Sequence, residues 1–138
     1  MSPIERLRLP EQLPEPISHY TDAVVADDWI WISGMLAVDA SGVLIGGEDV
    51  VAQAHRVHEN IRAVLHKAGA GFEHVVKVNV YLLRIGDRAA VNTVRRKFFG
   101  ESRPASTLVE VSAFVMPGAL LEIDAVAKRP TPNDPSAF

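Results

Sequence analysis

The stretch Arg103-Pro104-Ala105-Ser106-Thr107-Leu108-Val109-Glu110-Val111, with its later counterpart Ala119-Leu120-Leu121-Glu122-Ile123-Asp124-Ala125-Val126-Ala127, decides how the chain folds. Both runs alternate at period two, as half-buried strands do. Ser106, Leu108 and Glu110 share one face, and Thr107, Val109 and Val111 the other. In the second run Leu121, Ile123 and Ala125 face one way, and Leu120, Glu122, Asp124 and Val126 the other. Between the runs, Met116-Pro117-Gly118 joins a fixed φ to a residue that tolerates positive φ, turn chemistry that predicts two antiparallel strands lying side by side. A carboxylate inside an apolar strand needs water, a partner or a substrate, because burial without one is costly. Glu122 is therefore the first candidate for chemistry, although on pattern alone Glu122 and Asp124 mark the solvated face of an amphipathic strand.

Upstream, Ser18 to Ala26 and Trp29 to Ser33 are rich in β-branched and aromatic residues and flank Asp27-Asp28, which predicts a hairpin. Gly34 follows, and its missing side chain would let a ligand approach the backbone closely. A glycine there otherwise marks a bend. From Glu48 to Ala68, Val50, Ala54, Val57, Ile61, Val64 and Ala68 step by four and three, the spacing of one helical face, and Gly69 supplies a stop. His55 and His58 stand three apart on that helix with no third ligand near, so they read as surface or interface histidines. Phe72 to Leu83 alternates as a strand inside a sheet, a second helix runs from about Asp87 to Phe99, and Gly100 closes it. Asp39 to Gly47 reads as a loop with a short strand at Val43 to Ile45.

Composition bounds the class. At 138 residues and 48% hydrophobic, the chain fits one domain with a real core. Fourteen basic and seventeen acidic residues, with no basic block, argue against nucleic acid as a partner. The absence of cysteine excludes disulfides, thiol catalysis and cysteine-based metal sites. No apolar run approaches the ~20 residues that span a bilayer, and no signal-like core opens the chain, so a cytoplasmic protein is expected. Residues 1–16, with four prolines, read as an arm without an element; 17–129 form the single domain; 130–138 read as a flexible tail. The order predicts an α+β fold: a mixed β-sheet with two helices packed on one face. The uncovered face then requires burial against other subunits.

Pro104 to Val111 followed by Leu121 to Ala127 resembles the C-terminal signature of the Rid/YjgF family, the reactive-intermediate deaminases. Trp31-Ile32-Ser33-Gly34, the helix from Glu48, Val76 to Tyr81, and Val91-Asn92 before Phe98-Phe99-Gly100 fall in the family's order, so the resemblance spans roughly Tyr20 to Lys128. It implies a homotrimer with a central sheet barrel, helices outside and clefts at the subunit interfaces. It also implies hydrolysis of a reactive enamine or imine to a carbonyl compound and ammonia, with no metal or organic cofactor. Glu122 matches the carboxylate that orients water and shuttles a proton. Tyr20, Ser33, Gly34, Asn92, Ser106, Thr107 and Leu108 match positions that line the substrate cleft, Asn92 near a neighbouring subunit.

One departure matters. Ser106 stands where deaminases of the best-known type carry an arginine that clamps the substrate carboxylate, and Leu108 replaces a cysteine. The expected substrate therefore differs from small 2-imino acids, and a ring-cleavage product such as an aminomuconate-like compound fits. Arg95, Arg96 and Arg103 are the candidates in sequence for meeting its charge. A non-catalytic small-ligand-binding or regulatory trimer using the same cleft, or a different hydrolysis there, are the alternatives.

Overall fold

A computed structural model describes residues 3–130. Six strands and two helices follow in the order β1 (Glu5–Leu7), β2 (Ala23–Ala26), β3 (Trp29–Met35), α1 (Val50–Lys67), β4 (Val75–Leu82), α2 (Arg88–Phe99), β5 (Ala105–Glu110) and β6 (Leu121–Lys128). The strands form one mixed sheet in the order β1-β2-β3-β6-β4-β5.

Three expectations change. The segment expected to be an unstructured arm contributes β1, paired antiparallel with β2. None of its prolines falls within Glu5–Leu7, and buried Asp22 holds the segment in place by pairing with Arg8 and accepting the Leu9 N–H at 2.9 Å. The tail expected over 130–138 lies outside the described residues, Pro130 excepted.

The second change concerns the two deciding stretches, which are not neighbours. β5 pairs in parallel with one edge of β4, while β6 pairs antiparallel with its other edge and with β3. The reason is the crossover: α2 carries the chain back along its own length, so the following strand runs parallel to β4. The Met116-Pro117-Gly118 turn does form, with Ala119 N–H donating to Met116 O at 3.2 Å and Gly118 at φ +85°, but it leads out of a longer connection instead of closing a hairpin.

The hairpin around Asp27-Asp28 forms as expected, with Ala26 opposite Trp29 and Asp27 at φ +54°. Helix α1 begins at Asp49, whose carboxylate accepts from the N–H groups of Val51 and Ala52, and ends before Gly69 at φ +84°. Its buried stripe of Ala54, Val57, Ile61, Val64 and Leu65 packs over Ile30, Ile32, Val78, Val80, Leu121, Ile123 and Ala125 of the sheet, with Val91 and Val94 of α2 completing the core.

The third change is His58. It is not at the surface: its side chain is in the core, 1% exposed, with Nδ1 donating to Ala54 O at 2.7 Å and its ring stacked on Phe98.

Buried Gln53 ties the helix layer to the strand that carries Glu122. Its Nε2 donates to Gly47 O at 2.6 Å and Gly118 O at 2.9 Å, and its Oε1 accepts from Leu120 N–H at 2.9 Å. Gln53→Ala leaves these backbone groups unpaired and is expected to lower stability by about 2 kcal/mol. Urea denaturation of the variant beside the parent chain measures it.

Candidate active site

Strand alternation sets the site on the sheet face that the helices leave open. Glu122 and Asp124 of β6 stand there opposite Tyr81 and Asn79 of β4. Asp124 accepts two hydrogen bonds, from Asn79 Nδ2 at 2.8 Å and from Tyr81 OH at 3.0 Å. Burial and the bond to Asp124 push the Tyr81 phenol pKa up, which keeps it a donor. The Glu122 carboxylate makes no hydrogen bond among the described residues. Burial, with Asp124 as a like-charged neighbour, raises its pKa above the usual carboxylate range. A carboxylate of that kind can take a proton from water and return it to a leaving group.

Gly34 makes room for this carboxylate. The β3–β6 register shifts between Ile32 and Met35, and Gly34 lies within that irregularity. A Cβ at Gly34 would overlap Glu122 Oε1 and stand 2.7 Å from its Cδ. Within the chain, the group that occupies the space beside Gly34 is the Glu122 carboxylate. Ser33 anchors the same corner, its hydroxyl donating to Thr21 O at 2.6 Å and its N–H to Asp22 O. Tyr20, one residue before Thr21, is 48% exposed.

The remaining expected residues divide by the same alternation. Thr107 is on the open face, its hydroxyl accepting from Lys77 Nζ at 2.7 Å. Ser106 and Leu108 point to the helix side: Leu108 packs against the core, and the Ser106 hydroxyl accepts from Arg95 Nη2 at 3.1 Å. Asn92 joins them through Oδ1, which accepts from Arg95 Nη1 at 3.3 Å. Within one chain, then, Glu122, Gly34 and Ser33 gather on one side of the sheet, and Ser106, Leu108 and Asn92 on the other.

The sequence reading gave no weight to Asn79 and Tyr81, although the alternation of β4 puts both on the Glu122 face. It left Arg95 undecided, although a spacing of three from Asn92 puts the two on one side of α2. A cavity of about 840 Å³ is lined by helix-layer residues such as His55, Arg62, His66 and Lys97 and by none of the expected site residues. His55 bonds Glu59 at 3.0 Å while His58 is sealed in the core, so the two do not converge on a common point. No helix of the described residues is long and apolar enough to cross a membrane.

A mixed six-stranded sheet with two helices on one face is the α+β architecture that the sequence resemblance implies. Residues 10–129 match the family model described as endoribonuclease L-PSP. The chain belongs to this family, the Rid/YjgF family. It is 39% identical over 125 residues to the 2-iminobutanoate/2-iminopropanoate deaminase of Capra hircus, covering 90% of each chain. It is 36% identical over 119 residues to the 3-aminoacrylate deaminase RutC of Acinetobacter baylyi, covering 86% of this chain and 94% of that protein. Among solved structures, RidA from an Antarctic Psychrobacter superposes with a TM-score of 0.83 at 32% identity, over 90% of this chain and 98% of that one. The family thus includes enamine and imine deaminases.

Proposed function

We propose that the chain hydrolyses a reactive enamine or imine to a carbonyl compound and ammonia. The observation that carries this reading is the Glu122 carboxylate, seated over Gly34 with its pKa raised and no partner of its own. An enamine takes a proton at carbon to give the iminium ion, the protonated form in which an imine also reacts. Glu122 then accepts a proton from water as the oxygen attacks the C=N carbon, giving a neutral carbinolamine. That proton returns to nitrogen, and as the C–N bond breaks and ammonia leaves, the hydroxyl gives its remaining proton to Glu122 and becomes the carbonyl. Neither a metal nor an organic cofactor enters these steps.

The working form is a homotrimer. The open face carries Trp29, Trp31 and Val109 well exposed beside the polar cluster, a surface suited to burial against another copy. Because Asn92 and Ser106 lie across the sheet from Glu122, one complete cleft takes its carboxylate from one subunit and its helix-side residues from the next. The substrate is a small molecule other than a 2-imino acid, encountered in the cytoplasm, since Ser106 offers no charge for a carboxylate set beside the reacting carbon.

The test is ammonia release from freshly generated imines and enamines with the carboxylate at varied positions, alongside light scattering. Turnover by a particle of three times the 15.0 kDa chain mass is expected. A stable monomer at micromolar concentration would sink the shared cleft. Stabilisation by ligand with no turnover of any imine would replace the enzyme with a binding protein.

A further inference from the structure

We infer that Arg95 is the anion anchor of the cleft, and that it selects substrates whose carboxylate is separated from the reacting carbon by at least one further carbon. This deepens the deaminase reading and, for the part about substrate length, rests on it.

The evidence begins with an unneutralised cation. Arg95 is partly buried on the inner side of α2, yet it forms no ion pair among the described residues. Its two hydrogen bonds go to neutral oxygens, Asn92 Oδ1 and Ser106 Oγ, which leaves three of five N–H groups without a partner among the described residues. Burial lowers its pKa, as expected for a guanidinium held away from water with no counter-charge. Buried cations are ordinarily paired, and an anionic ligand would supply the missing partner.

The surroundings fit an anion. Arg95 lines a cavity of about 620 Å³ with Asn92, Arg96, Ser102 and Arg103; Glu101 is the only acidic residue in its wall. Three arginines against one glutamate give 3 − 1 = +2. The cavity lies where α2 passes into the start of β5, which is an edge strand of the sheet.

Position then sets the length of the substrate. An arginine at 106 would carry its charge several bonds out from the β5 backbone. Arg95 instead holds its guanidinium within one hydrogen bond of the Ser106 hydroxyl, drawn back against the strand edge. A carboxylate bound there sits deeper, and a molecule must be longer than a 2-imino acid to reach it while presenting its C=N carbon to Glu122.

The experiment separates anchor from activity. Calorimetric titration of the full chain with 4-oxopentanoate and with pyruvate, keto acids of long and short spacing, should show tighter binding of the former. Arg95→Met should weaken 4-oxopentanoate binding by on the order of 10- to 100-fold, Arg95→Lys should recover part of it, and the exposed neighbour Arg96→Met should cost less. In turnover, Arg95→Met should raise KM for long-spaced imino acids far more than it lowers kcat. Placing the clamp back with Arg95→Met/Ser106→Arg should shift preference toward 2-iminopropanoate. Unchanged binding in Arg95→Met, with circular dichroism and particle mass as in the parent, would overturn the anchor, and pyruvate binding the more tightly would overturn the selection by length. Ammonia release from no imine, with keto-acid binding still dependent on Arg95, would sink the deaminase and leave the anion site standing.

Discussion

Glu122→Gln is expected to remain a folded assembly, to bind ligand, and to lose turnover by about 10²–10⁴-fold, the usual worth of a positioned acid–base group. Glutamine keeps the shape over Gly34 and cannot take a proton from water. Because burial and Asp124 raise the Glu122 pKa, activity in the parent chain should fall on the acid side beginning above the ordinary carboxylate range, and that limb should vanish from the residual activity of the variant. Gly34→Ala provides the geometric counterpart. The group that its Cβ would meet is the outer end of a flexible side chain, so the protein should fold while the carboxylate is pushed aside. Turnover is expected to fall with little change in stability. If Glu122→Gln kept most of its turnover, the proton would have to move through another group.

The second large effect is on stability. The His58 imidazole lies beneath Phe72, Phe98 and Phe99, with Nδ1 bonded to Ala54 O and Nε2 buried without a partner. Burial, with smaller contributions from the charges of Arg95 and His55, lowers its pKa from 6.5 to about 4. The neutral ring is thus favoured by folding, and the unfolded chain binds the extra proton. The contribution is fully present above pH 6.5 and is lost as pH falls toward 4, where the loss amounts to about 3 kcal/mol. His58→Leu removes this dependence. Urea denaturation of parent and variant at one protein concentration, at pH 7 and pH 4.5, should show the parent losing more stability than the variant. Parallel losses in the two proteins would mean that the ring takes up its proton without cost.

Much of this architecture was legible because periodicity reports which side of an element is covered. The stripe from Val50 to Ala68 marked α1, and the alternation through Leu121, Ile123 and Ala125 marked a core-facing edge of β6. Period two does not report which strand lies next door, and β5 was accordingly misplaced beside β6, when the helix between Leu82 and Ala105 already implied a parallel return. Glu122 and Gly34 were legible as candidates, but their mutual contact was not, since it depends on a register irregularity between Ile32 and Met35. His58 was misread for a different reason: a histidine one turn along from Ala54 carries no mark in sequence of whether an aromatic cluster will close over it.

The place of β6 has a consequence for how the molecule comes into being. It is the last of the six strands in chain order, yet it occupies the middle of the sheet, between β3 and β4, which do not pair with each other. The hairpin of β2 and β3 and the unit of β4, α2 and β5 can each form from nearby residues, but they remain two pieces with open edges until residues 121–128 slide in as a wedge. Pairings between parts of the chain far apart in sequence form slowly, and the wedge is the strand that bears Glu122. The carboxylate of Glu122 therefore takes its place over Gly34 only with the pairing that closes the sheet.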